Sequence, residues 1–394
     1  MLNLKRYKKE ELKEMLKKRQ KNLDIEEVYE AYEIYKTHKK KYDDINKEIN
    51  LNASYISKDN IEKGKKLKEE YGLINEELKN AEKKYESLLC KIPNILHKSV
   101  IYGESEDDNK VIKRVGDIIF HKHHYDMPIF ENCVDITGSR FVLLKNQFAT
   151  LERALSSYMM NKLISMGFSE YSIPVIMNEK GFLGSGHLPK DEENMFKVEH
   201  DKYLIPTAEA VLVNIFRNQK IDSSLLPLKL AAVSNCFRKE AGSAGKDLKG
   251  LIRLHQFTKC EMVCLSSPKD SYDVLEYMLK CSTAILEELN IPYEILDICS
   301  YDIGFVGAKQ YDLQIPIGGQ WREVASISNC EEYQAVSLNI KNKENEYLHL
   351  LNGSALAVGR TLASLIEINY SVEKNCIIIP ECLYRYCNFS VINL

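Results

Sequence analysis

Apolar and aromatic positions in the first ninety residues recur in steps of three and four. They fall at Val28, Tyr32, Tyr35, Tyr42, Ile45 and Ile49, and resume at Leu67, Tyr71, Ile74, Leu78, Ala81, Tyr85 and Leu88. This alternation marks a helical seam that packs against another helix. A polar stretch from Asn52 to Asn60 separates the two runs, so the spacing predicts an antiparallel helical hairpin turning near residue 55. Each arm of about 28 residues spans roughly 40 Å at 1.5 Å per residue, long enough to project beyond a globular body.

Ile92-Pro93-Asn94 closes that pattern, and short apolar segments with turn signals replace it. The spacing predicts helices over 149–166, 269–289 and 356–368. Strands are expected on either side of Pro174 and near 203–205 and 311–315, with a hairpin across 229–264. Strands interleaved irregularly with helices argue for an α+β fold with a mostly antiparallel sheet rather than a doubly wound one. Two domains follow: helical over 1–95 and α+β over 96–394.

Composition narrows the function classes. No run reaches the roughly 18 apolar residues of a membrane span. The N-terminus, Met1-Leu-Asn-Leu-Lys-Arg-Tyr7, lacks a signal-peptide apolar stretch, so a cytoplasmic address is expected. Net charge is −3, but residues 1–92 carry roughly four excess positive charges and the remainder roughly seven negative. Lys36, Lys39, Lys40 and Lys41 lie on the first predicted helix, and Lys63, Lys65, Lys66 and Lys68 on the second. A turn near 55 would set these runs side by side as a ladder of phosphate contacts, although a solvated helix face explains the charges alone. The eleven cysteines include no C-x-x-C pair and no Cys/His alternation, so no zinc site is expected. Cys260 and Cys264 read as buried hydrophobes, and His121, His123 and His124 as a neutral surface run.

The chemistry concentrates in two predicted strands, 230–240 and 251–263, flanking a Gly/Lys-rich loop across 241–250. Strand parity puts Arg238 with Glu240, and Arg253, His255, Phe257, Lys259 and Glu261 together on one face. Such a face meets solvent or lines a site. An aromatic among cations and carboxylates suits a stacked base beside a phosphate.

The run Phe237-Arg-Lys-Glu-Ala-Gly-Ser-Ala-Gly-Lys-Asp-Leu-Lys-Gly-Leu-Ile-Arg-Leu-His-Gln-Phe257, followed by Lys259-Cys-Glu-Met262, closely resembles the second signature motif of class II aminoacyl-tRNA synthetases in its seryl form. Leu351-Asn-Gly-Ser-Ala-Leu-Ala-Val-Gly-Arg-Thr-Leu-Ala-Ser-Leu-Ile-Glu367 resembles the third motif, and the helix from Ala149 through Gly167-Phe168 to Pro174 the weaker first. Pro206-Thr-Ala-Glu209 is similar to the family's amino-acid loop. Ile92-Pro-Asn-Ile95, Gly138-Ser-Arg-Phe141, Gly184-Ser-Gly-His-Leu-Pro-Lys190 and Tyr311-Asp-Leu313 fall in the family's order. Departures are Gln314 in place of the usual Glu, Ala325-Ser-Ile-Ser-Asn329 for Ser-Cys-Ser-Asn, and Gln334-Ala-Val-Ser337 for Gln-Ala-Arg-Arg.

The resemblance implies a serine–tRNA ligase that forms seryl-adenylate from L-serine and ATP with magnesium, then charges tRNA(Ser), as a homodimer whose interface includes the first motif. It implies catalytic roles for Arg238, Glu323 and Arg360. Its ATP site would comprise Arg238, Lys239, Glu240, Arg253, Leu254, His255, Gln256, Phe257, Glu323, Val324, Ala325, Ser326 and Arg360, with Glu323 and Ser326 holding magnesium. Its serine site would comprise Thr207, Ala208, Glu209, Arg238, Glu261, Asn352 and Ser354. The basic hairpin would grip the long variable arm of the tRNA. A sister synthetase for threonine or proline fits less well, because about 27 residues follow the third motif, too few for the anticodon-binding domain those relatives carry. A non-catalytic tRNA-binding relative is disfavoured by Arg238, Glu240, Glu323 and Arg360.

Overall fold

A computed structural model describes residues 1–53, 58–241 and 249–394, without the side chains of residues 5, 53 and 58–61. The turn expected near residue 55 and most of the loop expected across 241–250 lie outside the described residues. The chain divides into two units, Met1–Pro93 and Asn94–Leu394. No described helix is long and apolar enough to cross a membrane.

The first unit holds a short helix, α1 (Lys9–Lys18), and two long ones, α2 (Ile25–Ala53) and α3 (Lys58–Leu89). Tyr32 and Tyr35 both meet Tyr85, at ring separations of 5.2 and 5.4 Å, and Tyr42 meets Tyr71 at 5.2 Å. Partners that converge in number establish the antiparallel pairing. The predicted seam is the buried one: Val28, Ile45, Leu67, Leu78 and Leu88 are inside. The half-buried tyrosines between them meet ring to ring, and the hydroxyls of Tyr42 and Tyr71 share a hydrogen bond of 2.8 Å.

The lysine runs depart from expectation. His38 meets Glu77 at 3.3 Å and Tyr42 meets Tyr71, so residues 36–41 are level with about 72–79 and residues 63–68 with about 45–52. The runs are therefore staggered by about 15 Å along the pair at 1.5 Å per residue. All eight lysines are exposed. Lys36 pairs with Glu33 at 3.0 Å and Lys39 with Asp43 at 3.2 Å, each within its own helix.

The second unit is built on an eight-stranded sheet among the described residues. Its strands are β1 (Lys110–Val115), β2 (Ser169–Glu170), β3 (Leu228–Phe237), β4 (Gln256–Ser266), β5 (Tyr293–Asp297), β6 (Lys309–Ile317), β7 (Gln320–Asn329) and β8 (His349–Ala357). The spatial order is β1-β5-β6-β7-β8-β4-β3-β2. Every adjacent pair is antiparallel except β2 with β3. The α+β class and antiparallel sheet read from the sequence are thus present. Gly318 and Gly319, both at positive φ, form the two-residue turn between β6 and β7, a conformation side chains with a Cβ adopt poorly.

Helices α4 (Asn146–Ser165), α5 (Ser271–Glu288) and α6 (Val358–Ile368) contribute to the larger core. Strand β4 explains the layering. Cys260, Met262 and Cys264 enter that core, while Val263 and Leu265, on the opposite face by parity, join a smaller core with Ala208, Leu212, Ala335 and Leu338. β4 is therefore buried on both faces. Its polar residues stand where the smaller core stops.

Candidate active site

A cavity of about 610 Å³ opens there. Phe257, Lys259 and Glu261, alternate residues of β4, all line it, as parity predicts. Lys259 is 8% exposed and Glu261 2%, and the two form an ion pair. Lys259 Nζ also donates to Thr207 Oγ1 at 2.9 Å. Thr207 precedes the one-turn helix Glu209–Leu212, and its Oγ1 accepts from the Glu209 backbone N–H at 3.2 Å.

The second carboxylate of the cavity is Glu209. Its Oε1 accepts from Gln334 Nε2 at 2.7 Å and from Asn352 Nδ2 at 3.0 Å. Burial pushes Glu209 above the usual carboxylate range, opposed by the Gln334 hydrogen bond and the Lys259 charge. Burial likewise raises Glu261, opposed mainly by Lys259. Ser354, on β8 opposite Glu261, is also buried and lines the cavity. Bound polar groups therefore form a pre-arranged floor.

At the rim, the strands are shorter than their parity reading assumed. Pairing ends at Phe237 with Gln256, so Arg238, Glu240, Arg253 and His255 lie beyond the strands. Beyond that point the backbone donors turn to other segments, Lys239 N–H to Asn194 O at 2.8 Å and His255 N–H to Arg140 O at 2.9 Å, and Glu240 has φ 52°, which a strand does not accommodate. Arg238 N–H still bonds His255 O at 2.9 Å, and Arg253 Nη1 holds Glu240 Oε2 at 2.6 Å, so the diverging arms stay tied. The Arg238 guanidinium lies 5.3 Å from the centre of the Phe257 ring.

Arg360 on α6 closes another side. Its Nε donates to Ile252 O at 3.0 Å and its Nη1 to Glu323 O at 2.6 Å. Glu323, Val324 and Ser326 of β7 line the same wall. Asp312, opposite Ser326 on β6, is half-buried and is pushed up to about 8, first by loss of solvent and then by the Glu323 charge.

Fourteen of the nineteen residues named above for ATP and serine meet in this cavity. Five do not. Lys239 and Gln256 are exposed, and His255 turns its Nδ1 to Arg238 O at 3.0 Å. Ala208 and Ala325 belong to the cores. Sequence reasoning left Lys259 without a role, although parity had placed it on the right face. It gave no role to Gln334 or Asp312, although both fall inside runs compared with the family, Gln334-Ala-Val-Ser337 and Tyr311-Asp-Leu313. It also misplaced His124, which is fully buried against Glu367 rather than part of a surface run.

The sequence model of the tRNA synthetase class II core domain (G, H, P, S and T) matches residues 194–369. A serine–tRNA ligase from Hydrogenobaculum sp. (strain Y04AAS1) is 44% identical over 322 residues, covering 77% of this chain and 76% of that protein. The chain belongs to the serine–tRNA ligase family. Two solved members of this family share its architecture. The seryl-tRNA synthetase of Pyrococcus horikoshii, complexed with ATP, superposes with a TM-score of 0.87 at 32% identity, covering 100% of this chain and 99% of its own. The cytoplasmic enzyme of Naegleria fowleri, in complex with AMP, gives 0.83 at 27% identity, covering 100% and 97%.

Among the described residues no group of three or more His, Cys, Asp or Glu side chains could hold a metal unaided. Glu323 and Ser326 nevertheless both line the cavity, and their side chains carry hard oxygen atoms. That set fits a magnesium ion completed by substrate phosphates.

Proposed function

We infer that this cavity activates L-serine with ATP and then serves transfer of the seryl group to the 3′-terminal adenosine of tRNA(Ser). The observation that carries the reading is the convergence of Glu209 and Glu261 with Arg238, Arg253 and Arg360 in one cavity. Its volume lies within the range of small-molecule sites. The buried carboxylates suit a small polar substrate with an ammonium and a hydroxyl. The guanidinium groups suit a triphosphate.

In the activation step an oxygen of the serine carboxylate attacks the α-phosphorus, the bond to the bridging oxygen of the β-phosphate breaks, and pyrophosphate leaves. Both reactants are anions, so orientation and charge neutralisation dominate the barrier. Arg238 contacts the α-phosphate and Arg360 the γ-phosphate. Glu240 receives the adenine amino group, and Phe257 stacks on the ring. Glu209 and Thr207 hold the serine ammonium, and Glu261 accepts from its hydroxyl. Ser354 and Asn352 wall the pocket. Glu323 and Ser326 hold magnesium, which when bound screens the triphosphate charge. Lys239, His255, Gln256, Ala208 and Ala325 support the site through backbone and core.

Alanine lacks the hydroxyl, so it leaves Glu261 short of a partner and is rejected. The exposed lysines of α2 and α3 contact the tRNA backbone. The homodimer is supported by exposed apolar residues between 111 and 143, among them Ile112, Ile119, Val134 and Ile136, the last 76% exposed. Pyrophosphate exchange with serine, threonine or proline tests the reading. Exchange with serine alone is expected, and silence with every amino acid overturns it.

A further inference from the structure

His124 and Glu367 lie outside the cavity and outside every role assigned above. His124 opens the short 3₁₀ turn His124–Asp126, and Glu367 sits in the last turn of α6. They are 0% and 1% exposed. One carboxylate oxygen, Glu367 Oε1, accepts from the His124 backbone N–H at 3.1 Å and from Nδ1 at 2.7 Å. The other accepts from Gly318 N–H at 2.6 Å, in the turn that starts β7. Burial alone would raise the Glu367 carboxyl, but these hydrogen bonds outweigh it and hold the carboxyl below its ordinary range.

With the Nδ1 proton committed to the carboxylate, Nε2 carries the lone pair of a neutral imidazole. That lone pair accepts the Leu251 N–H at 3.0 Å. The preceding residue makes the approach possible. Gly250 has φ +71°, and a Cβ on it would stand 2.0 Å from Nε2. The next residue is clamped from the same helix, because Arg360 Nε donates to Ile252 O. Two side chains seven positions apart on α6, one acting through His124, thus fix consecutive residues just before Arg253.

We propose that His124 is a positioning residue for ATP: anchored by Glu367, it fixes Leu251 and Ile252 so that Arg253 and Leu254 meet the nucleotide. This inference rests on the activation reading above. A pair that served only to hold the fold would lower stability and affect both substrates alike. A positioning role acts on ATP and leaves serine, held by Glu209 and Glu261, unaffected.

The test is serine-dependent pyrophosphate exchange by the full chain, with KM for ATP and for serine measured separately. His124→Asn keeps a donor for Glu367 but loses the acceptor for Leu251. His124→Gln places an acceptor oxygen near the position of Nε2. The expected result is a KM for ATP raised about tenfold in the Asn variant, as the loss of one buried hydrogen bond implies, with KM for serine within about twofold. The Gln variant should recover most of the difference. If His124→Asn does not fold, Glu367→Gln replaces it, and again ATP and not serine should weaken. A silent wild-type chain overturns the activation reading and this one with it. An active wild type whose variants keep the wild-type KM for ATP, lose ATP and serine together, or show no difference between Asn and Gln overturns this inference alone.

Discussion

Replacing Glu261 by Gln separates two jobs that the carboxylate performs at once. In the folded protein Glu261 neutralises Lys259, and both are nearly inaccessible to water. Without the carboxylate, Lys259 keeps Thr207 Oγ1 as an acceptor at 2.9 Å. Removing one partner of a buried pair costs about 3–5 kcal/mol, and the surviving hydrogen bond offsets about 1 kcal/mol. A loss of about 2–4 kcal/mol is expected, seen in calorimetry as a Tm lower by roughly 3–6 °C for a unit of this size. Adding Lys259→Met removes the stranded ammonium and should restore most of that stability. Serine recognition should not return with it. A charge-assisted hydrogen bond is worth about 1.5–3 kcal/mol, so kcat/KM for serine in pyrophosphate exchange should fall roughly 10- to 150-fold in both variants. The reasoning fails if the double variant is no more stable than Glu261→Gln. It fails equally if serine kcat/KM recovers along with stability, since Glu261 would then act only through the fold.

Deleting residues 30–85 should spare serine-dependent exchange and abolish tRNA charging; equal charging by the truncated protein would overturn the role of the helical pair. Ile136→Asp should convert a dimer to monomer in analytical ultracentrifugation, and an unchanged sedimentation coefficient would detach the exposed apolar segment from assembly. Glu367 is an acid whose folded pKa is depressed, so its charge contributes stability above the ordinary value of 4.5 and that contribution fades as pH falls through the folded value. Urea melts should therefore show Glu367→Gln well below wild type at pH 7, with the gap narrowing as pH falls below the ordinary value of 4.5; a gap that widens on acidification has the wrong sign.

Much of the fold was legible because two periodicities carried it. The three-four spacing picked out the seam of α2 and α3, and parity placed Phe257, Lys259 and Glu261 on one face. Element ends were less legible. The strand before the loop stops at Phe237, where Lys239 and His255 give their backbone N–H groups to Asn194 and Arg140, partners that nothing in Arg238-Lys239-Glu240 announces. The lysine stagger was missed because it depends on the register between helices, which aromatic contacts such as Tyr42 with Tyr71 set. His124 was read as a surface residue because its neighbours in sequence include no carboxylate partner. Its partner, Glu367, arrives from 243 positions away.

The position of the cavity within the sheet explains why its charges are strong. Lys259 and Glu261 share a face with Val263 and Leu265, which are fully buried in the smaller core. The polar pair is thus a continuation of that core with different side chains, and the low dielectric around it strengthens each interaction. Glu209 is treated the same way: it stands beside Ala208 and Ala210, both fully buried, and receives two amide donors from separate elements. Every buried carboxylate at the floor is consequently held in place before substrate arrives. The cations at the rim differ, because Arg238, Arg253 and Arg360 remain partly accessible. A site of this construction fixes the groups that select the small substrate. It leaves the groups that meet the large polyanion where solvent and nucleotide can still exchange around them.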